Sequence, residues 1–191
     1  MASARLGCVD GRAVFITTSL TGYIDIEKVS GGKLSSNPMA CFENWAEVCK
    51  VATNLSQADE SSAIALDANK LECPVPRPRQ IFAIGINYKA HAAEMNNPLP
   101  SQPLVFTKFQ SSLNSPNGAV TLVGEKCDFE AELVAIIAKG GRNISASEAW
   151  GHVAGLCVGQ DVSDRACNTP ILHRNLVWVK VVLGSRQLAR G

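Results

Sequence analysis

Residues 127–137 read CDFEAELVAII, and this stretch says more about the fold than any other part of the 191-residue chain. In a β-strand, successive side chains point to opposite faces, so Asp128, Glu130 and Glu132 would share one face. Carboxylates that lie together beside an apolar core repel one another and lose hydration. Three outcomes are open: the acidic face is solvated, a basic residue pairs with it, or a divalent cation neutralises it. The Glu-x-Glu pattern alone does not choose among them, although Mg²⁺ and Ca²⁺ prefer carboxylate oxygens.

A histidine and a glutamate stand three residues apart before this strand. Residues 87–95 have the pattern of one or two helical turns that end before Pro98, which puts His91 and Glu94 on one helix face. Because histidine titrates near neutral pH, such a pair can move a proton through a water molecule. The same spacing is also typical of an ordinary surface polar pair.

A polar cluster follows the next apolar strand. Residues 159–165 read GQDVSDR and come directly after the apolar run 153–158. Asp161 in this cluster is a candidate for the third carboxylate of a cation site. Taken alone, it is equally well explained as a turn or cap residue.

The composition of the chain narrows the class of protein. The 18 Lys and Arg residues nearly balance the 17 Asp and Glu residues, without the basic excess of a nucleic-acid-binding protein. No apolar run approaches the roughly 20 residues of a transmembrane helix, and the first dozen residues lack the continuous apolar segment of a secretory signal. We therefore expect no nucleic-acid partner, no membrane partner and a cytoplasmic location, with the mitochondrion as the alternative.

The cysteines do not point to a metal or disulfide site. There are 7 of them, scattered through the chain without a C-x-x-C pair. Free cysteines are usually buried. The sequence therefore predicts reduced thiols that lie mostly in the core.

A proline-rich stretch at residues 73–79, CPVPRPR, divides the chain. Prolines at alternate positions exclude a helix and favour an extended connector. Residues 1–73 combine short strand-like runs with an amphipathic helix near 44–55, which is typical of a small α+β lobe. Residues 80–85 and 104–108 are short apolar runs of strand type that begin the second part.

The order and spacing of these features resemble the fumarylacetoacetate hydrolase superfamily, in particular its smaller domain-containing members. Four stretches carry the resemblance: PVPRPRQIFAIGINYKAHAAE at 74–94, PLVFTKFQSSL at 103–113, DFEAELVAII at 128–137 and AWGHVAGLCVGQDVSDR at 149–165. Because four motifs fall in order, the resemblance is specific over residues 1–165.

The resemblance implies an α+β fold: a mixed β-roll core of the fumarylacetoacetate hydrolase type, incomplete here, with a small N-terminal α+β lobe. It divides the chain into the lobe at residues 1–73, a partial catalytic domain at 74–165 and a tail at 166–191. Members of this superfamily usually assemble as dimers, so the resemblance also implies a homodimer.

The resemblance further implies a metal-dependent hydrolase, lyase or isomerase that acts on a small diketo or oxo acid. Its reaction would be C–C bond hydrolysis, decarboxylation or keto–enol isomerisation, through an enolate stabilised by Mg²⁺, Mn²⁺ or Ca²⁺. The metal-ligand positions of the superfamily fall on Glu130, Glu132 and Asp161. Its catalytic His–Glu dyad falls on His91 and Glu94. Lys108 stands where it can hold a substrate anion, and a solvated lysine at a strand end is the equal alternative.

The tail departs from the superfamily pattern directly after Arg165. Instead of the expected Gln and a GKS-like segment, the chain continues with Asn168 and the stretch NLVWVK at 175–180. Codons for this tail, read one nucleotide earlier, can spell the superfamily's motifs, so we expect residues 166–191 to be a frameshifted or mis-spliced reading. The alternative function is then a catalytically impaired, truncated member that at most binds a metal.

Overall fold

The structure is a computed structural model that describes residues 4–94, 96, 98–122, 124–166 and 178–184. This part of the chain contains ten β-strands in three sheets, together with five short α-helices. Every strand pair within it is antiparallel. The α+β class predicted from the sequence is confirmed.

The N-terminal lobe is a five-stranded sheet with four helices beside it. The strands lie in the order β4-β3-β2-β1-β5. They are β1 (Arg5–Val9), β2 (Arg12–Ile16), β3 (Gly22–Asp25), β4 (Ile64–Ala65) and β5 (Leu71–Glu72). The helices are α1 (Ile26–Val29), α2 (Pro38–Glu43), α3 (Trp45–Thr53) and α4 (Gln57–Ser61). The amphipathic helix predicted near residues 44–55 is confirmed as α3.

Local chemistry explains the hairpin that starts the lobe. Asp10 and Gly11 join β1 to β2 with φ angles of 49° and 73°. Such a two-residue turn needs positive φ at both positions, and Asp-Gly is a favoured pair for it. The neighbouring residues Val14 and Phe15 are both buried, because both faces of β2 are covered.

The second part of the chain holds two smaller sheets. A two-stranded sheet pairs β6 (Ile81–Gly85) with β7 (Leu104–Lys108), and α5 (Lys89–Glu94) lies between them in sequence. A three-stranded sheet has the order β10-β9-β8. Its strands are β8 (Cys127–Ile137), β9 (Val153–Asp164) and β10 (Trp178–Gly184). Short 3-10 helices cover Ala68–Lys70, Gln110–Ser112 and Ala149–His152. The strands and the helix predicted in this part are confirmed.

The register of β8 against β9 builds a shared acidic face. Glu130 lies directly opposite Asp161, and Glu132 lies opposite Gly159. Because opposed residues of an antiparallel pair point to the same side, the carboxylates of both strands share one face. This face is the more enclosed one: the Glu130 side chain is 25% exposed, whereas Phe129 on the other face is 69% exposed.

The hydrophobic core continues across the proline-rich connector. Ile136 of β8 and Cys157 of β9 belong to the same buried cluster as Phe15 and Ile26 of the lobe. The connector runs between β5 and β6, and the domain boundaries drawn from the sequence stay a prediction. Most of the predicted frameshifted tail lies outside the described residues; within it, residues 178–184 form β10 beside β9. None of the helices in the described part combines the length and apolar character needed to cross a membrane.

A buried thiol in the lobe makes folding sensitive to alkaline pH. Cys8 of β1 is fully buried and donates its Sγ hydrogen to Glu72 Oε2 at 3.1 Å. Burial, followed by the bond to Glu72 and its charge, raises the pKa of Cys8 to about 12.

We expect the free energy of unfolding to fall as the pH rises above the ordinary thiol pKa of 9.0. The folded-state pKa is above the unfolded one, so the stabilisation is complete below the unfolded pKa and is lost as the pH rises through the folded pKa. Urea midpoints near pH 7 and about pH 10 measure this loss. Cys8→Ser, which keeps the donor to Glu72 but does not ionise in this range, should lose less. An equal loss in both proteins would contradict the prediction.

Candidate metal and proton-transfer site

Basic side chains neutralise much of the acidic face. Arg165, just beyond β9, donates to Asp128 Oδ2 from Nη2 at 3.1 Å and from Nε at 3.2 Å. The same guanidinium donates to Glu130 Oε1. Of the three outcomes open for the acidic face, pairing with a basic residue is therefore the one that this structure contains.

A second ion pair crosses between the sheets. Lys108 at the end of β7 donates from Nζ to Asp161 Oδ2 of β9 at 2.6 Å. The two side chains are only 6% and 8% exposed. Lys108 Nζ also lies 5.0 Å from the centroid of the Phe106 ring. The alternative of a solvated strand-end lysine is wrong, because its ammonium group is buried against a carboxylate.

The surroundings of Glu132 disfavour the charged form of its carboxyl group. Burial is the main cause that raises the pKa of its carboxyl group, and the charges of Glu130 and Asp161 raise it further. The neighbouring Tyr88 hydroxyl and the charge of Lys108 act in the opposite direction. The three carboxylates therefore lie near enough for their charges to oppose one another across the face.

The imidazole of His91 lies between two carboxylates. Its Nε2 is 3.9 Å from Glu130 Oε1, and its Nδ1 is 3.9 Å from Glu94 Oε2. Both distances are longer than a direct hydrogen bond and within ion-pair range. The structure thus brings the helix α5 that carries the His–Glu pair against the acidic face of β8.

The acidic face has the donor chemistry of a divalent-cation site. Its donors are carboxylate oxygens, which suit Mg²⁺, Mn²⁺ and Ca²⁺. Across the described residues, no three side chains of His, Cys, Asp or Glu are grouped closely enough to hold a metal ion. Arg165 and Lys108 instead bind Glu130 and Asp161. The donor chemistry fits such an ion, and its ligand set stays a prediction.

Two residues of the site were not singled out from the sequence. Tyr88 accepts a hydrogen bond from the Leu133 amide at 3.0 Å and reaches Glu132. Arg165 lies on the acidic face two residues after Ser163. The alternation of β9 could have placed Arg165 there, whereas nothing local to Tyr88 indicates a partner 45 residues away.

Solved structures define the class of fold. A candidate HpcE protein from Mycobacterium smegmatis has a TM-score of 0.77 and 33% identity, and the match covers 95% of this chain and 64% of that one. Maleylpyruvate hydrolase from Sphingobium sp. SYK-6, in complex with manganese(II) ion and pyruvate, has a TM-score of 0.72 at 21% identity, with 98% and 69% covered. The fold is thus an α+β fold of the fumarylacetoacetate hydrolase type, as the resemblance implied.

The family model described as fumarylacetoacetate (FAA) hydrolase C-terminal matches residues 80–181, about half of the chain. The chain belongs to the fumarylacetoacetate hydrolase family, which confirms the resemblance.

Curated relatives agree with this assignment. A fumarylacetoacetate hydrolase domain-containing protein 2 homolog from Dictyostelium discoideum is 34% identical over 148 residues, which are 73% of this chain and 47% of the relative. The human mitochondrial oxaloacetate tautomerase FAHD2A is 43% identical over 94 residues, which are 48% of this chain and 30% of the relative. The chain therefore spans less than half the length of these relatives.

The buried ion pair predicts a large stability effect. We expect Lys108→Met to lower the free energy of unfolding by about 3–5 kcal/mol, because it leaves the Asp161 carboxylate buried without its partner. Urea denaturation measures the change.

Lys50→Met is the matched control for this experiment. Lys50 pairs with Glu47 on the surface of α3 at 3.0 Å, and its side chain is 71% exposed. Its loss should change the free energy of unfolding by less than about 1 kcal/mol. Equal effects of the two substitutions would show that the Lys108–Asp161 pair is not buried in solution.

Proposed function

We propose that this chain forms the site of a divalent-metal-dependent enzyme that acts on small diketo or oxo acids. The observation that carries the proposal is the contact between His91 and Glu130: a proton-transfer group lies 3.9 Å from a carboxylate of the acidic face. Ordinary surface polar pairs do not bring an imidazole against a cluster of interacting carboxylates.

Glu130, Glu132 and Asp161 are the residues proposed to hold the cation, Mg²⁺ first, with Mn²⁺ or Ca²⁺ as alternatives. Their oxygen donors and the pairing of Glu130 with Asp161 across β8 and β9 support this role. When bound, such a cation supplies positive charge beside the carboxylate and oxo oxygens of a 2-oxo acid, which lowers the energy of its enolate.

His91 is proposed as the base, and Glu94 as the group that orients it. For keto–enol isomerisation, neutral His91 accepts a proton from the carbon beside the oxo group. The electrons of the broken C–H bond form the C=C bond, and those of the C=O π bond move to the oxo oxygen. This oxygen takes up a proton from water to complete the enol, and His91 returns its proton to the solvent. Glu94 lies 3.9 Å from His91 Nδ1. Its negative charge would stabilise the imidazolium that His91 becomes when it accepts the proton.

Lys108 is proposed to bind the substrate carboxylate. Its ammonium group already lies 2.6 Å from Asp161, which supports a place next to the proposed cation site. A lysine there can share its three donors between Asp161 and a bound anion.

Isomerisation is the reaction that the relatives favour. The human relative at 43% identity is named oxaloacetate tautomerase. Decarboxylation and C–C hydrolysis are the alternatives, because the same base and the same carboxylates can serve all three reactions.

We also propose a homodimer inside the cell, in the cytoplasm or the mitochondrion. The apolar face of β8, with Phe129 69% and Leu133 63% exposed, is surface of the kind that subunit interfaces cover. The location is supported by the mitochondrial relative from human.

The first test is metal binding and turnover of oxaloacetate by the full chain. We expect Glu130→Gln to weaken Mn²⁺ binding at least about 100-fold, since it removes an anionic ligand, and to abolish the EDTA-sensitive conversion between keto and enol forms. Calorimetry and the enol absorbance measure the two effects.

Glu47→Gln on the exposed surface of α3 is the control and should behave as wild type. Turnover that survives EDTA and Glu130→Gln would remove the metal-dependent mechanism. Binding of Mn²⁺ without turnover of any oxo acid would favour the impaired family member instead.

The second test addresses the base. We expect His91→Asn to lower kcat by about 10²–10⁴-fold, because it removes the proton acceptor, while the Mn²⁺ affinity stays near that of wild type. His152→Asn is the control, since His152 contacts the Lys139 carbonyl oxygen at 2.8 Å rather than the acidic face. Full activity of the His91 variant would contradict the assigned role.

A further inference from the structure

The Tyr88 hydroxyl links helix α5, which carries His91, to strand β8, which carries Glu130 and Glu132. The Tyr88 hydroxyl accepts a hydrogen bond from the Leu133 backbone N–H at 3.0 Å. Burial and the neighbouring Glu132, the residue before Leu133 on β8, raise the pKa of this hydroxyl. The oxygen of the hydroxyl is thus an acceptor for the strand that carries Glu132, and the hydroxyl keeps a hydrogen that it can donate.

The contact occurs at an otherwise open strand edge. In the described sheet, β8 is the last strand of the order β10-β9-β8, so alternate N–H groups of β8 face away from β9. Such edge groups need partners. The Tyr88 hydroxyl is such a partner for the N–H group of Leu133, which directly follows Glu132 on β8.

Tyr88 also stands at the start of α5. Its carbonyl oxygen accepts the hydrogen bond from the Ala92 N–H, and α5 runs from Lys89 to Glu94. His91 lies within this first turn. Fixing the Tyr88 side chain to β8 thus also fixes the helix end that presents the imidazole.

The backbone before Tyr88 is strained. Ile86 has φ of 51°, in the left-handed region. A β-branched residue adopts this conformation at a cost, and it persists only where surrounding contacts hold it. The Tyr88 hydrogen bonds, two residues later, are contacts of this kind.

We propose that Tyr88 is a positioning residue for the site. Its phenol orients the Glu132 carboxylate and fastens the first turn of α5, and so His91, to the edge of β8. The part of this inference that concerns Glu132 as a ligand rests on the proposed function. The part that concerns the attachment of α5 does not.

The test compares Tyr88→Phe with wild type in the full chain, with two readouts. Amide hydrogen exchange at Leu133 and across α5 should become faster, because the hydroxyl partner is lost. The Kd for Mn²⁺, followed by the spectroscopic signal of the free ion, should rise roughly 10-fold or more, the effect expected for groups that orient metal ligands. The urea midpoint should stay near that of wild type, since the Tyr88 side chain is 41% exposed and its ring is retained.

Tyr23→Phe, at the chain's other tyrosine on β3 of the lobe, is the matched control and should change neither readout. Unchanged exchange in Tyr88→Phe would overturn the proposal. So would an unchanged Kd in a protein that binds Mn²⁺. If wild type binds no Mn²⁺, the proposed metal site is wrong, and faster exchange in Tyr88→Phe still supports the attachment of α5.

Discussion

Carboxylates that share a half-buried face must be neutralised, and this requirement organises the second part of the chain. At about 4 Å and an effective dielectric near 20, two like charges repel by about 4 kcal/mol. The pairing of Glu130 with Asp161 therefore needs nearby positive charge. Lys108 supplies it from β7 and Arg165 from the end of β9. The Lys108–Asp161 pair consequently ties the two-stranded sheet to the three-stranded one.

The same requirement explains why the acidic face is the enclosed one. A soluble sheet usually turns its apolar face inward, yet Phe129 of β8 is exposed while Asp161 opposite Glu130 is buried. Burying ionised groups is tolerated only where they are paired. An arrangement that holds carboxylates in such a place, with an imidazole 3.9 Å from Glu130, puts proton-transfer groups side by side.

The sequence could predict the alternation of β8, but not which of its faces is enclosed. A period of two places Glu130 and Glu132 on one side and Phe129 on the other, and it contains no information about the elements that cover either side. The covering residue Lys108 is 53 positions from Asp161 in the chain. The burial of Lys108 depends on this tertiary contact. From the sequence alone, a solvated lysine at the strand end was therefore an equally good interpretation. The helix of His91 and Glu94 was predictable from local spacing, whereas its contact with Glu130 came from the family resemblance.

Family membership and site geometry constrain the chemistry to different degrees. The matched segment, residues 80–181, contains every carboxylate and the imidazole proposed for the mechanism. The roles proposed for those groups, a base beside a cation that stabilises an enolate, would serve isomerisation, decarboxylation and C–C hydrolysis alike. The three reactions differ in the group that leaves the enolate carbon: a proton in isomerisation, CO₂ in decarboxylation and, in C–C hydrolysis, an acyl group that water attacks and that departs as a carboxylic acid. That choice depends on the side chains around the far end of the substrate. The identity of the reaction must therefore be read from substrate turnover, while the roles proposed for His91 and Tyr88 rest on contacts within this site.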